Sequence, residues 1–174
     1  MDKVLFREEQ KFSQRWLWML LIPVTLISTL PFIYCIFLQV VVGKHCGNHS
    51  GSISDLVVVL SLVMVLMSGI IWLVAKMKLI VEISEECIRY RYPPIIRKWK
   101  LVGKSEIESF KVRKYNPITE YGGWGIKGSR RNKALNATGN IGLQLYLTDG
   151  RKILFGTQKK QAIESAIKKM MQAQ

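Results

Sequence analysis

Residues 16–42 read WLWMLLIPVTLISTLPFIYCIFLQVVV, 27 residues without a charged side chain. A helix needs about 20 apolar residues to cross a bilayer core about 30 Å thick. A second uncharged run, LVVVLSLVMVLMSGIIWLVA, covers the 20 residues 56–75. Neither run shows the polar stripe of a helix packed in a soluble core. Both are expected to span a membrane. The first is longer than needed, which tilting can absorb. Pro23 and Pro31 are kink candidates of a kind that membrane helices tolerate. A cleavable leader has a shorter apolar region ending at small residues. This run is far longer and ends VVVGKHC, so it is expected to remain as an anchor.

Charge is segregated from hydrophobicity. The 174 residues carry a net charge of +14, yet 49% are hydrophobic. Lys3, Arg7, Lys11 and Arg15 precede the first run, and Lys76 and Lys78 follow the second. The connecting loop, 43–55, holds one Lys and one Asp. The excess of Lys and Arg at the outer flanks of the pair places both termini in the cytoplasm. Trp16, Trp18 and Trp72 fall at the same ends, where indole favours the headgroup level. The expected organisation is a basic cytoplasmic N-terminus (1–15), a two-helix hairpin (16–75) and a cytoplasmic domain (76–174). The expected location is the cytoplasmic (inner) membrane, with two passes.

The last segment reads as strands. In KLIVEIS, Leu79, Val81 and Ile83 fall on one face; in CIRYRY, Ile88, Tyr90 and Tyr92 are opposed to Arg89 and Arg91. The short Ser84-Glu85-Glu86 connection makes them a hairpin, and Pro93 and Pro94 stop the second strand. IIRKWKLV (95–102) and EIESFKVRKY (106–115) are the next two strands. Leu143, Leu145 and Leu147 alternate again, Asp149-Gly150 is a hairpin turn signal, and Ile153 and Phe155 continue the far strand. The period then changes. Ile163, Ala166, Ile167 and Met170 share one face of a terminal helix, with Thr157 a candidate N-cap. Six or seven strands and one amphipathic helix imply a small antiparallel β-barrel or sandwich capped by the helix. The fold class is thus a membrane α-helical hairpin plus an α+β cytoplasmic domain.

Two spans followed by such a domain resemble the bacterial pleckstrin-homology-like membrane proteins. The stretches FREEQKFSQRWLW (6–18), YNPITEYGGWGIK (115–127), GNIGLQL (139–145) and DGRKILFGTQ (149–158) are similar to an uncharacterised two-span branch of that family. The resemblance covers most of the chain and implies a PH-like fold and a membrane location, not an activity. PH-like domains bind phosphoinositides, peptides or proteins. The acidic turn Ser84-Glu85-Glu86 departs from the basic loop of the phosphoinositide binders.

One stretch invites a chemical reading. Gly123, Gly125 and Gly128 in EYGGWGIKGSRRNK (120–133) have the G-x-G-x-x-G spacing of a phosphate loop. A dinucleotide loop must open a helix, but SRRNKALNATGN has no helical period. Lys127-Gly128-Ser129 has the wrong order for a Walker A loop. The structural reading is a glycine-rich excursion between strands. The functional one is a contact surface for an anionic partner or headgroup layer, with Tyr121, Trp124, Lys127, Arg130, Arg131 and Lys133 as candidates. Lys98, Lys100, Lys104, Lys111, Arg113 and Lys114 are a second candidate basic face.

Other chemistry finds little footing. His45, Cys46 and His49 lack a fourth metal ligand. Cys35 falls in the first span, Cys46 in the loop and Cys87 in a strand, so no intramolecular disulfide is expected; a Cys46–Cys46 link between copies is the alternative. The cytoplasmic domain has no His and one Asp, Asp149, from which no acid–base or nucleophilic set can be built. The spans hold none of the ionisable groups of a transport path. The expectation is a non-enzymatic, membrane-anchored binding or scaffold protein without a cofactor, meeting the bilayer and a protein partner or second copy. No nucleic-acid motif is present. Its alternatives are an anionic-lipid sensor with a basic face, and an accessory subunit of a membrane enzyme or transporter.

Overall fold

The structure, a computed structural model, describes residues 3–12, 15–44 and 52–172. The chain divides into a helical unit, Gln14–Ala75, and a discontinuous unit made of Met1–Ser13 with Lys76–Gln174.

In the helical unit, α1 (Arg15–Phe37) passes through Pro23 and Pro31. Each proline removes a backbone donor. Between them, hydroxyls bond back to the preceding turn: Thr25 to the Leu21 carbonyl at 2.7 Å and Thr29 to that of Thr25 at 2.8 Å. A π-helical turn follows at Leu38–Val42, and α2 is Ile53–Lys76. The segments Leu17–Val42 and Ile53–Lys76 are long and apolar enough to cross a bilayer, as expected from the sequence. They are 6% and 0% buried, so neither is the core helix of a soluble fold.

One expectation about this unit needs correcting. Cys35 is disulfide-bonded, whereas no bond within the chain was expected. The described free cysteine is Cys87, so the bonding partner lies outside the described residues. His45, Cys46 and His49 also lie outside them. Cys35 falls in the first span, as expected, in the last turn of α1, which stops at Phe37.

Among its described residues the other unit holds nine strands in two sheets. The first has the order β1 (Val4–Lys11), β2 (Lys78–Ser84), β3 (Cys87–Tyr92), β4 (Ile96–Gly103). The second comprises β5 (Ile107–Lys114), β6 (Gly125–Gly128), β7 (Asn132–Asn136), β8 (Ile141–Leu147) and β9 (Lys152–Gly156), in the order β5-β8-β9-β7-β6. A short helix α3 (Pro117–Tyr121) follows β5, and α4 (Lys160–Gln172) closes the described chain. Inward residues of both sheets form one core, with Leu79, Ile83, Ile88, Tyr92, Leu143, Leu145 and Phe155 fully buried. The expected apolar face of α4, Ile163, Ala166, Ile167 and Met170, is buried in it. Thr157 lies ahead of α4, where its hydroxyl accepts from the Lys159 N–H at 3.0 Å.

Three features differ from the sequence reading. The β6–β7 hairpin and α3 occupy the stretch read as a loop, and β7 pairs with β9 in parallel, so the second sheet is mixed rather than antiparallel. The N-terminus is a strand: β1 pairs antiparallel with β2, bringing Lys11 opposite Lys78. The helical unit is therefore inserted where a β-hairpin would have its loop.

Buried polar groups lock β1 in place. Glu8 is 6% exposed and Gln10 3%. Glu8 accepts from the Thr157 hydroxyl at 2.6 Å and the Gln158 N–H at 2.8 Å, and Gln10 donates to the Gly156 carbonyl at 2.8 Å. A buried polar group is tolerated when it is hydrogen-bonded, and these bonds tie β1 to the end of β9 and the approach to α4.

Candidate functional site

The stretch 113–136 is built on α3 and the β6–β7 hairpin. Asn116 caps α3: its side-chain oxygen accepts from the Ile118 and Thr119 N–H groups at 3.1 and 3.3 Å. Pro117 supplies a first-turn residue that has no donor to lose. Glu120 reaches back to the Asn116 N–H at 2.8 Å, and its other oxygen meets Arg113 at 2.7 Å. The Arg113 guanidinium holds the Glu120 carboxyl below the usual range, and Glu120 raises Arg113 in return.

Tyr121 is buried, not presented. Its ring meets Tyr115 edge-on at 6.0 Å, and its hydroxyl lies 3.3 Å from the Gln144 side-chain oxygen. Burial pushes the Tyr121 hydroxyl up and that of Tyr115 up to about 12. Tyr115 accepts from the Asn136 amide at 2.8 Å. Trp124 is half-buried and donates from its indole nitrogen to the Gly139 carbonyl at 3.0 Å. With Lys114, Pro117 and Glu120 it borders an open groove of about 520 Å³.

The four cations sit on the hairpin. Gly128 faces Lys133 and Lys127 faces Ala134, so Lys127 and Lys133 project to opposite faces. Arg130 and Arg131 are exposed at the tip, where the Ser129 N–H donates to the Asn132 carbonyl at 2.9 Å. The glycine spacing now has a structural cause. Gly128 has φ +87°, and a Cβ there would lie 2.1 Å from the Asn132 carbonyl oxygen. The glycines lead into a strand, so no helix N-terminus stands behind them to meet a phosphate.

None of Lys127, Arg130, Arg131 and Lys133 forms an ion pair among the described residues. Partial burial lowers the Lys133 pKa, and nearby Lys100 lowers it further. This half-desolvated cation therefore has a like charge, not a counter-ion, as its electrostatic neighbour. An anionic side chain or phosphate brought here would relieve both costs.

The hairpin tip is at one end of its sheet. At the other end, the Tyr92 hydroxyl donates to the Asn136 carbonyl at 3.1 Å and Gln10 bonds to Gly156. That end adjoins Lys11 and Lys78, where the helical unit is inserted. Arg131 is five residues from Asn136, about 17 Å along a strand. The cations thus gather away from the strand ends that lead to the helices. Within the structure, the sequence candidates split into a buried tyrosine, a groove-lining tryptophan and an exposed basic hairpin.

Sequence reasoning took 95–102 as a strand and placed Lys98 and Lys100 on a candidate basic face, but it missed the exposed apolar residues beside them. Ile95, Trp99 and Leu101 are 57%, 38% and 61% exposed, and the Arg91 guanidinium lies over the Trp99 ring at 4.5 Å. The signal was present in the alternation of Arg97, Trp99 and Leu101 with Lys98 and Lys100.

No protein-family model matches the chain, and comparison with curated proteins gives no match.

Proposed function

We propose that this chain is a non-enzymatic binding module, anchored in the cytoplasmic membrane by two helices, that presents a PH-like domain to an anionic protein partner or a second copy of itself. The insertion of the helical unit between Lys11 and Lys78 carries the reading. A paired strand cannot straddle a bilayer, so two spans leaving and returning there leave both termini on one side. The basic flanks favour the cytoplasmic side. Membrane anchoring is supported by the exposed apolar surface of both helices, with Met19, Ile27 and Val65 at 74%, 73% and 73%, far more than a soluble protein shows in one patch. The PH-like reading is supported by β1–β4, then β5, β8 and β9, then a helix on the shared core, with α3 and β6–β7 as an excursion. The hairpin tip lies at the strand ends opposite Lys11 and Lys78, which suits it to a partner in the aqueous phase.

The test is purification of the intact chain in mild detergent, with and without Glu at positions 127, 130, 131 and 133. The proposal expects a stoichiometric partner or a second copy that is lost from the variant. A lone chain in both preparations contradicts it. Alkaline phosphatase fused after Ser52 and after Gln174 tests topology: activity is expected only for the first.

A further inference from the structure

We propose that the outer face of β3–β4, formed by Arg91, Arg97, Trp99 and Leu101 with Ile95 at the turn, rests on an anionic lipid leaflet. The proposal depends on the membrane-anchoring reading and adds a second contact with the bilayer, separate from the spans and from the basic hairpin.

Register defines the face. Arg89 pairs with Leu101, and Arg91 lies against Trp99. These side chains project away from the core, which takes Tyr90, Tyr92 and Val102 from the same strands. β4 is an edge strand, and five consecutive residues, Arg97 to Leu101, are exposed. Its two faces differ in chemistry. One bears Arg97, Trp99 and Leu101; the other bears Lys98 and Lys100.

That chemistry fits an interface between water and lipid. Trp and Arg suit the headgroup layer, and Ile and Leu suit the acyl boundary beneath it. Among the described residues neither Arg91 nor Arg97 has an ion pair, which leaves both for lipid phosphates. Scattered exposed apolar residues are ordinary. Here three large ones on β4 and its turn lie beside two arginines, Arg97 on β4 and Arg91 on β3, that have no carboxylate partner among the described residues.

Chain connectivity identifies the lipid as occupant. The Lys78 N–H donates to the Pro93 carbonyl at 3.2 Å, so the Pro93-Pro94-Ile95 turn borders the strand end through which the chain enters from α2. Lys78 follows Lys76, the last residue of α2, by two positions, a reach of about 7 Å for any chain. The turn is therefore tethered close to the end of a spanning helix. The arginines set the sign of the leaflet charge.

Spin labels test this on the full chain, with its native cysteines replaced by serine, in vesicles of phosphatidylcholine and phosphatidylglycerol. Labels at Ile95, Trp99 and Leu101 are expected to show several-fold higher access to oxygen relative to a water-soluble nickel complex than labels at Lys98 and Lys100. The contrast is expected to fall in pure phosphatidylcholine and in R91Q/R97Q. Equal nickel access at all five sites overturns the proposal. So does shielding from both oxygen and nickel, which would mean a protein surface such as a second copy. An undiminished contrast in pure phosphatidylcholine overturns the anionic part. A label at Val65 separates the two failures. If Val65 lacks the oxygen access of a lipid-facing site, the anchoring reading fails; if it has that access and the β4 sites do not, only this proposal fails.

Discussion

The Lys78 ammonium lies 2.8 Å from a carboxylate oxygen of Glu9, across a separation of 69 residues that contains the whole helical unit. The pair is partly exposed, and such pairs contribute about 0–1 kcal/mol. It marks the junction without holding it. The buried bonds of Glu8 and Gln10 and the apolar contact of Phe6 do that.

Glu8→Ala should therefore destabilise far more than Glu9→Ala. It leaves the buried Thr157 hydroxyl and the part-buried Gln158 N–H without their acceptor, at a cost of about 2–3 kcal/mol, against below about 1 kcal/mol for the exposed pair. Thermal unfolding of the detergent-solubilised chain compares them. Equal shifts would mean that β1 is held by something else.

Gly128→Ala should open the β6–β7 hairpin. The new Cβ would meet the Asn132 carbonyl oxygen at 2.1 Å, and the strained backbone adds about 1–3 kcal/mol. Gly103→Ala is the control, since its nearest contact would be 3.4 Å, with no unusual backbone angle. Amide hydrogen exchange over Lys133–Asn136 should accelerate in the first variant and not in the second.

These two contrasts show what was legible from sequence. β2, β3, β8, β9 and α4 bury residues of one apolar period, so alternation finds them. β1 turns Phe6, Glu8 and Gln10 inward; two of the three are polar, and their partners around Thr157 lie at the other end of the sequence. The β6–β7 hairpin is hidden differently. It consists of glycines, cations and a short apolar pair, Ala134-Leu135, which resembles a loop until β9 pairs with it. Residue type made Tyr121 a contact candidate, but the neighbours that bury it, Tyr115, Ala134 and Leu154, come from three separate stretches.

The Arg113–Glu120 pair gives a pH dependence. Glu120 has a lowered pKa in the folded protein, through its bond to Arg113 and then the Asn116 N–H. Its contribution is therefore present above the unfolded value, about 4.3, and is lost as pH falls through the folded value. The stability difference between the native chain and Glu120→Gln should be constant from neutral pH down to about 5, then vanish in acid. A difference that grows on acidification would contradict the assignment.

Cys35 predicts a thiol count. Of three cysteines, Cys87 is free and Cys35 is bonded. The unreduced, denatured chain should take up one alkylating label per molecule, at Cys87, and two more after reduction. Because disulfides persist mainly in oxidising compartments, a bond at this end of α1 would support the proposed placement of the connecting loop outside the cytoplasm. Three labels without reduction would remove that support.

The central claim is that the helices are inserted between two paired strands of one domain. Arg7 and Glu82 face each other in the β1–β2 register, 3.2 Å apart. Cysteines at these two positions, in a chain whose native cysteines are serine and which carries a protease site after Ser52, test it directly. After oxidation and cleavage the two fragments should stay joined on a denaturing gel until reductant is added. Fragments that separate without reductant, in a chain shown to be folded, would contradict the account.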